Sequence, residues 1–251
     1  MDNLIFSEGK ISKITINRPE KQNALNSETI MEITECVRKA SSNKACRSIL
    51  ITGAGNRAFC AGADIGYLAG ISKKADAEKF FDIFYKMRNT ILESKKLVVA
   101  AINGYCLGGG NELALACDMR FASEDAVFGQ PEVKLGIVPG GGATYSLAGI
   151  VSIGKAKEMI LLGETLGAEE ALRIGLINGV FKKNMLIDST MQICRSINEC
   201  GPHAVALAKH AIDSAYAVDY RHEKRAFIES VTSREGKNGI NAFLGRRKAD
   251  F

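Results

Sequence analysis

What is scarce in this chain of 251 residues narrows its chemistry before any motif is read. Histidine occurs only at His203, His210 and His222, all in carboxyl-terminal stretches that read as helix, where a partly solvent-facing imidazole on a helix face is ordinary. There is no HExxH pair and no GxSxG turn, so a zinc hydrolase and a serine hydrolase lack their usual frameworks. No apolar run is longer than Leu97 to Ile102, far short of the roughly 20 residues that span a bilayer. The opening MDNLIFSEGK has neither the basic nor the apolar region of a secretory signal, and the expectation is a cytoplasmic protein with no membrane contact. Proline is limited to four residues, and no internal repeat, low-complexity tract or flexible linker interrupts the chain.

The seven cysteines are an odd number and contain no CxxC, which reads as reduced thiols packed as small hydrophobes rather than a disulfide or metal framework. The net charge of +5 is mild and scattered, apart from Arg246, Arg247 and Lys248. A nucleic-acid partner would need a concentrated patch. A small polyanionic ligand suits the balance, as does a plain excess of solvated surface charge.

What is abundant is glycine, 25 residues, set within an alternating pattern. Strand-like runs at 11–17, 47–52 and 96–102 are separated by helix-like stretches at 27–42 and 75–94. In the first helix Ser27 is placed to cap, and Ile30, Ile33, Thr34 and Val37 form one apolar face. Past about residue 140 helical segments follow one another, with only 178–181 looking extended and Pro202 opening a new helix. The spacing predicts an α/β core followed by a helical end.

GIVSIGKA (149–156) has the glycine and lysine spacing of a phosphate-binding loop, but Ala156 stands where a Ser or Thr would meet magnesium, and no strand precedes it. The glycines at 53–55 and 108–110 miss GxGxxG, so a dinucleotide fold has little support. What remains are three glycine-rich turns, FCAGADI (59–65), GYCLGGGNE (104–112) and VPGGGA (138–143), with FGQPE (128–132) before the last. Glycine lets backbone N–H groups approach a ligand, and a following helix adds its positive end, which together suit negative charge on oxygen. Tight turns and close helix packing would explain any one such glycine equally well.

Two acids stand beside these turns. Glu112 heads an apolar helix, where the helix dipole alone would favour a carboxylate by roughly 0.3 to 1 kcal/mol. Glu132 follows Pro131 and could be a plain loop acid. Apolar surroundings would raise either carboxyl toward neutrality, and two acids on one site can divide acid and base duties.

NRPEKQNALN (17–26), AFCAGADI (58–65), AINGYCLGGGNELALACDMRFAS (101–123), FGQPEVKLGIVPGGG (128–142) and AFLGRRKADF (242–251) resemble, in order, the landmarks of the enoyl-CoA hydratase/isomerase, or crotonase, family. The resemblance covers essentially the whole chain. It implies an α/β crotonase-like fold of repeated ββα turns over residues 1–195, with a helical region at 196–251 that builds homotrimers or homohexamers. It implies an acyl-CoA ligand, with CoA entering as part of the substrate and neither cofactor nor metal required. The thioester oxygen would lie between the N–H groups of Ala63 and Gly109, each worth about 3 to 4 kcal/mol to the transition state. Lys21, Ala24 and Leu25 would lie near the nucleotide end of CoA. Ala61, Gly62, Asp64, Ile65 and Gly140 would meet the rest of the substrate.

The family's two hydratase acids fall on Glu112 and Glu132, which implies addition of water to a 2-enoyl-CoA, with Glu112 activating the water and Glu132 protonating Cα. An isomerase or other crotonase-type enzyme acting on a branched or cyclic acyl-CoA is the second reading. A non-catalytic acyl-CoA binding subunit is a third, from a different class. One departure bears on substrate preference: after VPGGGAT the family commonly continues Gln-Arg-Leu, whereas this chain has Tyr145, Ser146 and Leu147 and a slightly longer stretch before Gly154 and Lys155.

Overall fold

The computed structural model describes residues 2–215 and 221–249. The chain opens with an antiparallel pair, Leu4–Ser7 (β1) and Ile11–Ile16 (β2), and the helix Ser27–Ser42 (α1). Three strand–strand–helix turns follow. The first is Ser48–Gly53 (β3) and Ala58–Cys60 (β4) with Ile65–Ala69 (α2) and Lys74–Leu92 (α3). The second is Leu97–Ile102 (β5) and Tyr105–Leu107 (β6) with Gly109–Ala116 (α4). The third is Met119–Ser123 (β7) and Val127–Gly129 (β8), then a 3-10 turn at Pro131–Leu135 and the helix Ala143–Ile150 (α5). Beyond lie Ile153–Leu161 (α6), Thr165–Gly167 (β9), Ala168–Arg173 (α7), Gly179–Phe181 (β10), Leu186–Asn198 (α8), Pro202–Ala215 (α9), Arg221–Thr232 (α10) and Arg234–Leu244 (α11).

The long strand of each turn enters a six-stranded sheet of order β1-β2-β3-β5-β7-β10, and the short strand enters a four-stranded sheet of order β4-β6-β8-β9. All pairings are parallel except β1 with β2 and β8 with β9. The corner from β5 into β6 depends on Gly104, at φ +152°, where a Cβ would stand 2.3 Å from the Arg57 carbonyl oxygen. Because each turn repeats the last, the loops leaving β4, β6 and β8 emerge side by side, and these carry the glycine-rich motifs.

β3 and β5 are buried along their whole length, which is why residues 49–51 and Leu97–Ile102 are consecutive apolar residues rather than alternating ones. Ile49, Ile51, Val98, Ala100 and Ile102 join the main core with α1 and α3. Leu50, Val99, Ala101 and Phe121 form a second core on the opposite face, against Leu186 and Cys194 of α8. Six cysteines are buried and Cys200 is exposed, all of them free thiols. Burial pushes Cys60 and Cys117 up to about 12, so these are packing groups rather than nucleophiles.

Several details depart from the sequence reading. The cap of α1 is Asn26, whose side chain accepts from Thr29 N at 2.9 Å, while Ser27 is the first helical residue and its buried hydroxyl has no partner. β9 is an additional strand of three residues beside β8, too short to show a period and made a strand by its pairing. GIVSIGKA is the end of α5 and the start of α6: Ser152 caps α6, and Lys155 pairs with Glu158 at 2.6 Å, so no phosphate loop exists there. The division drawn at residue 195 falls inside α8, and α10 and α11 send Phe227, Ile228, Val231 and Ile240 into the main core. His203 and His210 are exposed; the side chain of His222 lies outside the described residues, as do Asp250 and Phe251 of the last motif.

Asn26→Ala is expected to destabilise the fold by about 1 kcal/mol in urea denaturation, because a side-chain cap is lost, while Ser27→Ala leaves stability nearly unchanged. Equal losses would move the cap to Ser27.

Candidate active site

Two backbone turns meet above the four-stranded sheet. In the first, the loop preceding α1 holds residues 61–64 from beneath: Ala61 N donates to Gln22 O, Leu25 N to Gly62 O and Asp64 N to Leu25 O, at 2.8 to 3.0 Å. The Asp64 carboxylate caps α2 through Gly66 N and Tyr67 N and pairs with Arg18 at 3.0 Å; Arg18 also donates to Ala24 O. With both flanks held, the Ala63 N–H is left without an acceptor among the described residues. In the second turn Gly109 is the first residue of α4, so its N–H has no carbonyl one turn back. The two turns nearly touch: a Cβ on Gly109 would lie 3.3 Å from the Ala63 nitrogen.

Every residue of α4 is buried, so Glu112, 4% exposed, is a carboxyl group taken out of water. Its Oε1 accepts the N–H groups of Gly141 at 2.7 Å and Ala143 at 3.1 Å, where the 140–142 glycines lead into α5. That approach leaves no room for a side chain: a Cβ on Gly141 would lie 2.3 Å from the Phe84 ring and 2.7 Å from Glu112 Oε2. Glu132, half-buried in the 3-10 turn, accepts from Gln130 Nε2 at 3.0 Å through Oε1, and its Oε2 is buried with no partner. Gln130 in turn accepts from Asn111 Nδ2 at 2.9 Å, and both amides are fully buried.

A third carboxyl group comes from α10. Glu223, 4% exposed, accepts from Thr144 N at 3.1 Å and from the Thr144 hydroxyl by a shorter contact. Burial raises all three acids above the usual carboxylate range. Glu112 is raised well above it, by burial first and then by Glu132 and Glu223, against the pull of the two N–H donors. Glu132 is pushed up to about 7, chiefly by burial. Glu223 is raised by burial against its Thr144 hydrogen bonds. Each of the three acids therefore holds its proton to a higher pH than a carboxyl group in water does.

Glu112, Glu132 and the two turns bound a cavity of about 80 Å³, lined otherwise mainly by apolar groups that include Leu68, Phe80, Phe84, Ile137 and Phe227. Of the residues singled out from sequence, Ala61, Gly62, Ala63, Ile65, Gly109, Glu112, Glu132 and Gly140 line it. Lys21, Ala24, Leu25 and Asp64 do not. Lys21 is exposed, Leu25 is fully buried beneath the first turn, and Asp64 faces Arg18 and the start of α2. Tyr145, the departure after VPGGGAT, is not in the lining either; its hydroxyl meets that of Tyr85 on α3, and the Arg88 guanidinium lies 4.9 Å from its ring centre.

Asn111, Gln130 and Glu223 were not singled out from sequence. The first two sit inside quoted motifs, adjacent to Glu112 and two residues before Glu132. Glu223 lies in RHEKRAF, a charged stretch that reads as a solvated helix. Among the described residues no cluster of three or more His, Cys, Asp or Glu side chains is placed to hold a metal ion, and no helix is long and apolar enough to cross a membrane.

Comparison with known proteins gives a consistent picture. Residues 7–251 match the enoyl-CoA hydratase/isomerase family. A short-chain-enoyl-CoA hydratase of Clostridium acetobutylicum is 38% identical over all of this chain and 97% of its own length. A crotonyl-CoA hydratase of Syntrophomonas wolfei is 39% identical over all of this chain and 98% of its own. The crystal structure of an enoyl-CoA hydratase from Bacillus anthracis superposes with a TM-score of 0.82 at 32% identity, covering 99% of this chain and 98% of that one.

Gly141→Ala is expected to lower stability by about 1 to 3 kcal/mol through overpacking, whereas Gly149→Ala in α5, which meets nothing within 4 Å, is neutral or stabilising. Thermal melting of the two variants checks this, and an unchanged Gly141→Ala would contradict the close approach to Phe84 and Glu112.

Proposed function

The chain belongs to the enoyl-CoA hydratase/isomerase family, and we propose that the cavity between its two turns adds water across the 2,3 double bond of a 2-enoyl-CoA, reversibly, to give a 3-hydroxyacyl-CoA. The observation that carries this reading is the pairing of two buried carboxyl groups with two unused backbone N–H groups on one small cavity. A double-bond shift needs only one acid–base group to move a proton from one carbon to another. Adding water needs a group to take a proton from water and another to deliver one to carbon.

The thioester oxygen accepts from Ala63 N–H and Gly109 N–H, which withdraws electrons from the double bond and stabilises the enolate-like charge that grows there. Glu112, as carboxylate, takes a proton from water as the water oxygen bonds to Cβ. The two N–H donors on its Oε1 favour that ionised form and fix the group in place. Glu132, as carboxylic acid, delivers its proton to Cα. Its lifted pKa keeps that proton available near neutrality, and the unpartnered Oε2 is the atom free to carry it. When product leaves, the proton on Glu112 passes to solvent and Glu132 takes up another, which restores the starting state.

Phe80, Phe84 and Phe227 line the cavity, and its volume of about 80 Å³ supports a short acyl group. The names of the Clostridium and Syntrophomonas relatives point the same way. Lys21, Ala24 and Leu25 belong in this reading to the outer part of the site, where the nucleotide of CoA would lie. Leu207 and Ile212 on α9 and Phe243 and Leu244 on α11 are exposed apolar side chains, which supports assembly into a homotrimer or homohexamer. No metal or redox cofactor enters the proposed steps.

Loss of enoyl-thioester absorbance with crotonyl-CoA tests the reading. Glu112→Gln and Glu132→Gln are each expected to lower the rate by about 10² to 10⁴, the usual worth of a general acid or base. Silence of the wild-type protein across short, long, branched and cyclic 2-enoyl-CoAs would instead favour a binding subunit.

The pH profile has a defined sign. An acid with a raised pKa holds its proton up to that pKa and loses it above. With Glu132 near 7, hydration by the free enzyme is expected to decline on the alkaline side of neutrality. It is expected to fall again at low pH, once neither acid is left as the carboxylate that takes a proton from water. A rate flat from pH 5 to pH 9 would contradict a reaction that needs one carboxylate and one carboxylic acid.

A further inference from the structure

Glu223 is buried on α10, and none of the steps above uses it. Its Oε2 accepts both the backbone N–H and the hydroxyl of Thr144. Thr144 directly follows Ala143, whose N–H is held by Glu112. The start of α5 has no cap of its own, because its N-cap residue is Gly142, which has no side chain to offer. Donors that a free helix end would leave unpaired are instead divided between two carboxyl groups from distant parts of the chain. Glu112 of α4 takes Gly141 and Ala143, and Glu223 of α10 takes Thr144.

The segment between them has little stiffness of its own. Residues 140–142 are glycines, with Gly142 at φ +110°, and glycine restricts the backbone least. Two other polar groups pack on this segment at Gly142, the Tyr145 hydroxyl, which is engaged with that of Tyr85, and Arg88 of α3. Arg88 lies over the Tyr145 ring and donates to Asn89, and a guanidinium has no acceptor with which to hold an N–H. Of these neighbours, Glu223 is therefore the one that, besides Glu112, holds an N–H group of the segment.

We propose that Glu223 is a positioning residue for Glu112: by holding Thr144 it fixes the Gly141 and Ala143 N–H groups, and these fix the carboxylate that activates water. The proposal rests on Glu112 being that base. The part played by Glu223 is hydrogen bonding, so an uncharged side chain with an oxygen in the same place can substitute for it.

The test compares the hydration kinetics of crotonyl-CoA for the wild-type protein, Glu112→Gln, Glu223→Ala and Glu223→Gln. Glu223→Ala removes the acceptor and is expected to lower kcat about 10- to 100-fold, the loss that follows from removing a hydrogen bond to a charged group. KM is expected to stay within about threefold, because the thioester contacts are untouched. Glu223→Gln keeps an amide oxygen for Thr144 and is expected to restore kcat to within about threefold of wild type.

Wild-type kcat in Glu223→Ala, a loss confined to KM, or a Glu223→Gln variant as slow as Glu223→Ala would each overturn the proposal. If Glu223→Ala does not fold, Thr144→Val removes the hydroxyl donor at constant shape. That variant is expected to lower kcat about 3- to 10-fold, and an unchanged kcat again overturns the proposal. Full activity in Glu112→Gln would instead refute the role of Glu112 itself, so the two failures are distinguishable.

Discussion

The pair of hydrogen bonds from Gly141 and Ala143 to Glu112 Oε1 is the contact on which the rest of the site depends. A carboxyl group on a helix buried along its whole length is costly to ionise, since burial disfavours the charged form strongly unless it is hydrogen-bonded. Two backbone donors supply that compensation, and they come from a segment far along the chain from α4. The glycines at 140–142 allow this approach, because a side chain there would meet Phe227, Phe84 or Arg88. Compensation remains partial, and the proton affinity of Glu112 stays raised by its surroundings.

The ββα repeat explains why these groups can meet at all. Each repeat places one strand in each sheet and returns by a helix, so the loops after β4, β6 and β8 stand together although they are far apart in sequence. The first loop brings Ala63, the second Gly109 and Glu112, and the third Glu132. Hydrogen bonding within the frame then decides which backbone groups stay free. The bonds of Leu25 to the 61–64 turn and the start of α4 at Gly109 leave two neighbouring N–H groups unpaired, the arrangement that a developing oxyanion requires.

The amide chain Asn111–Gln130–Glu132 and the Glu223–Thr144 contact act as supports around the two acids. Each satisfies a buried polar group and at the same time restricts a carboxyl group or the backbone that holds one. The tyrosine at 145 is absorbed by a contact with Tyr85 and by Arg88 rather than by the cavity, so the departure from the family pattern leaves the cavity lining unaltered at that residue. The apolar wall is shared between α3, through Phe80 and Phe84, and α10, through Phe227. The carboxyl-terminal helices therefore help to build the site, and they also carry exposed apolar side chains.

Much of this was legible in the chain itself. The strand-like runs at 47–52 and 96–102 marked β3 and β5, and the period of α1 was readable to its ends. The triple glycine before an apolar helix marked Glu112 as a carboxyl group in an unusual setting. Glu132 became its partner through the order of the motifs, since nothing local distinguishes it from a loop acid. Asn26 rather than Ser27 as the cap, and β9 as a strand, were decided by backbone geometry and pairing that no short window contains. Glu223 was invisible for a related reason: in sequence it is one charge among several on an exposed-looking helix, and only the packing of α10 against α3 and α5 takes it out of water. The sequence determined which residues could do chemistry, because residue type and local pattern are properties of the chain. The tertiary structure decided which of them are taken out of water and which N–H groups remain unpaired, because those depend on burial and on contacts between segments far apart in the chain.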